Sequence, residues 1–354
     1  MKYIAVHDDP KYSNSYSKRW IEIINNVQGY KAKRVNLKAM DAIEQVKGCA
    51  GVMWHYRHTP QDKQIASKVL PAIEKILGIP VWPNYETRWH YDEKVAQNFL
   101  FRATGIPAVK SWVFWNYDEA KEFLQSTSEY PLVFKLSVGA GSANIFKVDS
   151  VEEGIYQLKR MFGKGIFPYT ENEFKLKSME GEPNILPIKQ RLIQAINYFR
   201  NNEMPSLPAY YQLQKNYIYL QKFMPNNPND IRITVIGNRA FGYIRYNRPE
   251  DFRASGSGNF DVTKENVPIE AVKIAHQLSK QMGFQSMAYD FLLDESGNPV
   301  INEISYCYVN WVVHKCPGYW DRDLKWHEEH VWPEQAHVED FIALIEMKNC
   351  DVSL

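Results

Sequence analysis

Asp290 and Glu303 are the residues of this chain whose types and spacing point most directly to chemistry. They lie in Met287-Ala-Tyr-Asp-Phe-Leu-Leu-Asp-Glu-Ser-Gly-Asn-Pro-Val-Ile-Asn-Glu-Ile-Ser305, two apolar runs joined by a polar turn, with one carboxylate inside each run. If Leu293 faces Val300, antiparallel pairing, which conserves the sum of paired positions, sets Asp290 opposite Glu303. Like charges opposed across two strands are destabilising, and a buried unpaired carboxylate is costlier still, so the pair calls for a cation. Oxygen-only donors on strands suit Mg²⁺, which keeps several waters and binds through one or two carboxylates together with nucleotide phosphates. The plainer alternative is an arginine paired with either acid.

Basic and glycine-rich segments precede this hairpin. Val138-Gly-Ala-Gly-Ser142 joins two apolar runs, and its glycines can turn backbone N–H groups over an anion without side-chain interference. It is no Walker A loop, since there is no GxxxxGK[ST] and no helix follows it directly. Lys135 lies within Leu132-Val-Phe-Lys-Leu136, where a lysine must either reach solvent or meet a negative partner. The strand ending at Met224 runs through a Pro/Asn loop into Asp230-Ile-Arg232, where free backbone suits a purine edge and Asp230 suits ribose hydroxyls. Arg245 in Tyr243-Ile-Arg-Tyr246, followed by Arg253 in Asp251-Phe-Arg253, adds planar cations that clamp a carboxylate or phosphate through two hydrogen bonds. Arg248 reads as a surface residue.

The elements that must position these groups follow from periodicity. Strand and helix patterns alternate through the first third of the chain (strands near 3–6, 33–37, 51–55 and 79–82), which implies a parallel sheet flanked by helices. Ligands bind beyond the carboxyl ends of such strands, so His7, Asp8, Asp9, His55 and Arg57 are candidate contacts for a second substrate. A helix through Lys94 stops at Thr104-Gly105-Ile-Pro107. The stretch 151–214 shows only two helical patterns, near 152–161 and 188–199, around a Lys/Glu/Pro-rich segment, and reads as an insert. From 217 onward strands dominate.

Composition narrows the classes. Lys plus Arg (42) and Asp plus Glu (41) nearly cancel among 354 residues, so no global field recruits nucleic acid or anionic lipid. No apolar run has the length of a membrane span, the opening residues are unlike a signal peptide, and the four cysteines lack CxxC spacing; a cytoplasmic protein with reduced thiols is expected.

Taken in order, the motifs resemble the ATP-grasp superfamily, and within it the branch of ribosomal-protein glutamate ligases and surface-carbohydrate-associated ATP-grasp proteins. The matching pieces are Asp92-Glu-Lys94, Gly105-Ile-Pro107, Lys135 with Gly139-Ala-Gly141-Ser142, Gln221-Lys-Phe-Met224, Asp230-Ile-Arg232, Arg245, Asp251-Phe-Arg253, Asp290 and Asn302-Glu303. The resemblance implies an α+β / α/β fold: an amino-terminal α/β lobe over 1–86, a central ATP-grasp subdomain over 87–216 with the insert at 151–214, and an antiparallel carboxyl-terminal subdomain over 217–354. It implies ATP held by Lys94, Lys135, the loop of Gly139, Gly141 and Ser142, Gln221, the backbones of Lys222 and Met224, and Asp230. It further implies Mg²⁺ or Mn²⁺ on Asp290, Glu303 and Ser305, and an acyl phosphate steadied by Arg245 and Arg253. Ser305 stands where such ligases commonly have Asn. The implied activity is an ADP-forming carboxylate–amine ligase, with a role in surface polysaccharide synthesis. A phosphotransferase on the same fold and a catalytically silent nucleotide-binding module are the alternatives. Expected partners are ATP, a carboxylate and an amine, with no nucleic acid and no membrane span, and with a homodimer left open.

Overall fold

The computed structural model describes residues 1–9, 15–139, 144–168, 213–247 and 258–351. In the amino-terminal part, short apolar runs become parallel strands. β1 (Lys2–His7), β2 (Tyr30–Val35), β3 (Gly51–Met53) and β4 (Val81–Trp82) pair in the order β2-β1-β3-β4. Parallel neighbours need crossovers, supplied by α1 (Ser15–Asn26), α2 (Ala42–Val46) and α3 (Pro60–Pro71). After the short α4 (Tyr85–Arg88) comes α5 (Lys94–Thr104), which ends on Gly105 at φ 67°, a left-handed stop that a residue with a Cβ adopts only under strain.

The chain divides into two units, one of Met1–His58, Asp62–Ser111 and Lys222–Leu354, the other of Thr59–Gln61 and Trp112–Gln221. Residues 87–111, expected to open the central subdomain, therefore cluster with the first unit. The second unit has a four-stranded sheet in the order β5-β8-β6-β7, built from β5 (Ser111–Phe114), β6 (Leu132–Lys135), β7 (Ile145–Val148) and β8 (Ile218–Lys222). Its helices α6 (Tyr117–Ser126) and α7 (Val151–Phe162) start at side-chain caps: Asn116 accepts from the N–H groups of Asp118 and Glu119, and Ser150 accepts from that of Glu153. The expected helix near 188–199 lies outside the described residues.

Back in the first unit, β9 (Asn229–Ile236), β10 (Arg239–Tyr246), β11 (Phe260–Asp261), β12 (Ser286–Leu293), β13 (Pro299–Ser305), β14 (Tyr319–Trp320) and β15 (Trp326–His327) form one sheet. Its order is β13-β12-β9-β10-β14-β15, with β11 on β10 and the main neighbours antiparallel. α8 (Ile269–Met282), α9 (Asn310–Lys315) and α10 (Pro333–Asp351) complete it. Strand alternation separates the two faces. Ile231, Ile233, Val235, Met287, Tyr289 and Phe291 enter the main core together with Ala271, Ala275 and Leu278 of α8. Asp230, Arg232, Thr234 and Asp290 occupy alternate positions on the other face.

The Gln97 side chain fastens α5 to this sheet. Gln97 donates to the carbonyls of Ile304 (2.8 Å) and His90 (3.1 Å) and accepts from the Ile304 N–H (3.2 Å). Lys94, three residues earlier and so on the same helix face, is thereby directed at β13. Gln97→Ala leaves the buried Ile304 donor and acceptor without partners and is expected to lower stability by about 3 kcal/mol. Urea unfolding of the two proteins checks this, and an unchanged midpoint would contradict the fastening role.

Candidate functional site

Asp290 and Glu303 face each other across β12 and β13. The register at the turn differs from the expected one: Leu293 pairs with Pro299 and Leu292 with Val300, one residue off. A β-bulge between Phe291 and Asp290 absorbs Asn302 and brings the two acids back into opposition. Bulges re-aim side chains in this way beside functional sites.

The cation that the opposed acids call for is supplied by the protein. β9 lies on the far side of β12, and Arg232 pairs directly with Asp290 there. Its Nε donates to Oδ1 at 2.6 Å and its Nη2 to Oδ2 at 2.7 Å. Arg245 of β10 adds an Nη2 contact to the same Oδ2 at 2.8 Å and holds Asp230, its cross-strand partner, through two bonds of 2.7 and 2.6 Å. Two carboxylates and two guanidiniums thus alternate on one sheet face, with side chains only 10–14% exposed. Burial alone pushes the Asp290 carboxyl up, but Arg232 and Arg245 outweigh it and hold the pKa down at about 2. For Asp230, burial wins over the pull of Arg245 and raises the carboxyl above its ordinary value. Glu303 has its own cation, Lys94, at 3.3 Å. Burial works against the Lys94 ammonium, yet Glu303 and Asp92 outweigh it and keep its pKa above the ordinary lysine value. Asp92, at φ 50°, is itself held by Lys63 through its carbonyl (2.7 Å) and its carboxylate (3.0 Å).

The other residues expected at the site have the following partners within the chain. The Asp230 carboxylate, expected on ribose, is engaged at both oxygens by Arg245. The Lys222 N–H, expected on adenine, donates to the Lys110 carbonyl, and the Met224 carbonyl accepts from Asn227 at 3.5 Å. Gln221 and Lys135 are buried in the second unit, and Gly139 sits at φ 117° where a Cβ would run into the Asn144 side chain, so the turn there favours glycine. Gly141, Ser142 and Arg253 lie outside the described residues.

Two of the five substrate candidates belong to the core. His7 accepts the Leu37 N–H on Nδ1 and lies 4.5 Å from the Trp54 ring, while His55 stacks on Tyr16 at 3.9 Å. Burial lowers their pKa values to about 4 and about 3, so both imidazoles stay neutral. Asp8 pairs with Arg34, and Lys38 bridges Asp9 (3.4 Å) and Asp62 (2.8 Å). Only Arg57, 3.7 Å from Asp62, presents a half-exposed side chain.

The expected metal ligands do not fit a divalent cation as folded. Both Asp290 oxygens are bonded to guanidiniums, Glu303 is paired with Lys94, and the Ser305 hydroxyl donates to the Cys307 carbonyl at 2.9 Å while accepting the Cys307 N–H at 3.2 Å. The set carries no surplus negative charge. Among the described residues no three His, Cys, Asp or Glu side chains converge to hold a metal ion. Arg232 is the residue that sequence reasoning left without a role; its signal was Asp230-Ile-Arg232, an acid and a base on one strand face.

No protein-family model and no curated protein matches the sequence. Solved structures do match. A RimK-domain ATP-grasp protein from Sphaerobacter thermophilus aligns over 96% of this chain and 99% of its own at 13% identity, TM-score 0.52. D-alanine–D-alanine ligase from Bacillus anthracis covers 100% of both chains at 15% identity, TM-score 0.53. The ATP-grasp ligase PsnB, complexed with a minimal precursor, Mg and ADP, aligns over 97% of this chain and 98% of its own at 11% identity, TM-score 0.53. The chain has the ATP-grasp fold. Its parallel amino-terminal sheet and antiparallel carboxyl-terminal sheet are those expected from the sequence.

Replacing Asp290 by Asn keeps the shape of the side chain and leaves two guanidiniums with one carboxylate. Asp290→Asn is expected to destabilise the protein by about 3 kcal/mol, as breaking a buried pair does. Denaturant unfolding at neutral pH measures it, and a change within error would mean that the charge lattice does not hold the sheet.

Proposed function

We propose that this protein is an ATP-dependent ligase that joins a carboxylate to an amine. The observation that carries the reading is the face of the β9–β13 sheet, where Arg232, Arg245 and Lys94 gather beside Asp290 and Glu303 in a chain of ATP-grasp fold. Two named ligases among the structural neighbours, one of them holding ADP, support it.

A carboxylate oxygen of the substrate attacks the γ-phosphorus of ATP, and the bond to ADP breaks. The amine then attacks the acyl carbon of the resulting acyl phosphate; the C–O bond to phosphate breaks and the amine nitrogen loses a proton. Both steps develop charge on phosphoryl oxygens, and positioned cations stabilise that charge most where water is scarce. Arg245 is the described arginine for this role, with Arg253 beside it in sequence. Lys94 and Lys135 are the lysines that the family resemblance assigns to the ATP phosphates, and each has no more than 5% of its surface exposed. Asp8, Asp9 and Arg57, at the carboxyl ends of the parallel strands, contact the second substrate. Amino acids or sugar acids of surface polysaccharides are the substrate classes that the family resemblance favours.

ADP release measured over amino and uronic acids, crossed with amines, tests the reading. Phosphate release that requires both an acid and an amine is expected. Turnover without the amine, leaving a phosphorylated product, would make the protein a phosphotransferase; tight ATP binding with no turnover would make it a silent module. Lys135→Ala is expected to weaken ATP binding by about tenfold or more, the scale of one charge-assisted contact. Unchanged affinity by calorimetry would remove Lys135 from the site.

A further inference from the structure

The opposed carboxylates of this fold face are already neutralised, and the neutralising groups come from the chain itself. Asp290 accepts two hydrogen bonds from Arg232, at 2.6 and 2.7 Å, and forms an ion pair with Arg245 at 2.8 Å, so that guanidiniums from two different strands meet it. Arg245 cannot swing toward Asp290 or away from it alone, because its fork is also seated on Asp230. Glu303 is matched by Lys94, and Ser305 is closed on the backbone of Cys307. A divalent ion arriving at Asp290 would meet a balanced cluster and two guanidiniums at contact distance, whose repulsion is only partly screened where the side chains are 10–14% exposed.

We propose that Arg232 and Arg245 occupy the cation position at Asp290, so that the nucleotide-free protein takes up no divalent ion there. Arg232 is a positioning residue in this scheme: it fixes the Asp290 carboxylate and withholds it from metal. The inference rests on reading this face as the phosphate end of the site. Its consequence is that the chain's own cations, rather than a resident metal, set the charge that an incoming polyphosphate first meets.

Manganese binding followed by loss of the free-ion paramagnetic resonance signal, with no nucleotide present, tests the proposal. The native protein is expected to leave the signal of added Mn²⁺ intact at micromolar to submillimolar concentration. Arg232→Gln removes one cation and frees Asp290 Oδ1, and is expected to bind Mn²⁺ about tenfold or more tighter than the native chain. The double variant Arg232→Gln/Asp290→Asn should lose that binding again. Retention of Mn²⁺ by the native protein, abolished by Asp290→Asn, would overturn the proposal, as would a folded Arg232→Gln protein that binds no better than native. Should Arg232→Gln fail to fold, Arg245→Gln, which leaves Asp290 one guanidinium, serves in its place with the same two readings. Because the titration contains no nucleotide, it stands apart from the ligase reading. Loss of ATP binding in a protein that still excludes Mn²⁺ would sink that reading alone.

Discussion

A carboxylate buried in a sheet must be matched by positive charge, and the carboxyl-terminal sheet is arranged around that requirement at Asp290. Neutralising it takes Arg232 from one neighbouring strand and Arg245 from the next, and Arg245 in turn takes Asp230. The register of β9, β10 and β12 is therefore tied by charge as well as by backbone hydrogen bonds: a slip of one residue would carry each charged side chain into the apolar core on the opposite face. Glu303 repeats the pattern at the edge, where its cation comes from a helix.

That helix links two levels of the fold. α5 stops at Gly105, and the segment after it runs alongside β13, with Val109 donating to the Ile301 carbonyl and Ile301 donating to that of Pro107, both at 2.9 Å. Gln97 grips the same strand at Ile304. Lys94 is thus held against Glu303 by contacts on both sides of it, so that little side-chain freedom remains to be lost when a ligand arrives. Lys63 and Asp92, the latter in a left-handed conformation, brace the start of the helix.

Much of this was legible in the sequence. Alternation of strand and helix patterns gave the parallel sheet, and the polar turn between two apolar runs placed Asp290 opposite Glu303. The opposition held even though the turn pairs one residue differently, because the bulge at Asn302 is invisible to a rule that counts positions. What could not be read was the strand order. Arg232 lies 58 residues before Asp290, and nothing local says that β9 and not another strand flanks β12. For the same reason the guanidinium of Arg232 on Asp290 could not be foreseen. His7 and His55 were correctly put at the carboxyl ends of strands, but their burial depends on Trp54 and on Tyr16 from a helix that packs over the sheet. A polar side chain at a strand end and a neutral ring in the core look alike until tertiary contacts are known.

If the protein is an ATP-dependent ligase as proposed, the sheet face bearing Asp290, Arg232 and Arg245 receives the phosphates of the nucleotide. A crystal structure of the protein with a non-hydrolysable ATP analogue tests it most directly. The γ-phosphate is expected against Arg245 and Lys94, on the face opposite the α8 core. A nucleotide bound elsewhere, with the four-charge lattice untouched and no phosphate oxygen within hydrogen-bond distance of either residue, would contradict it.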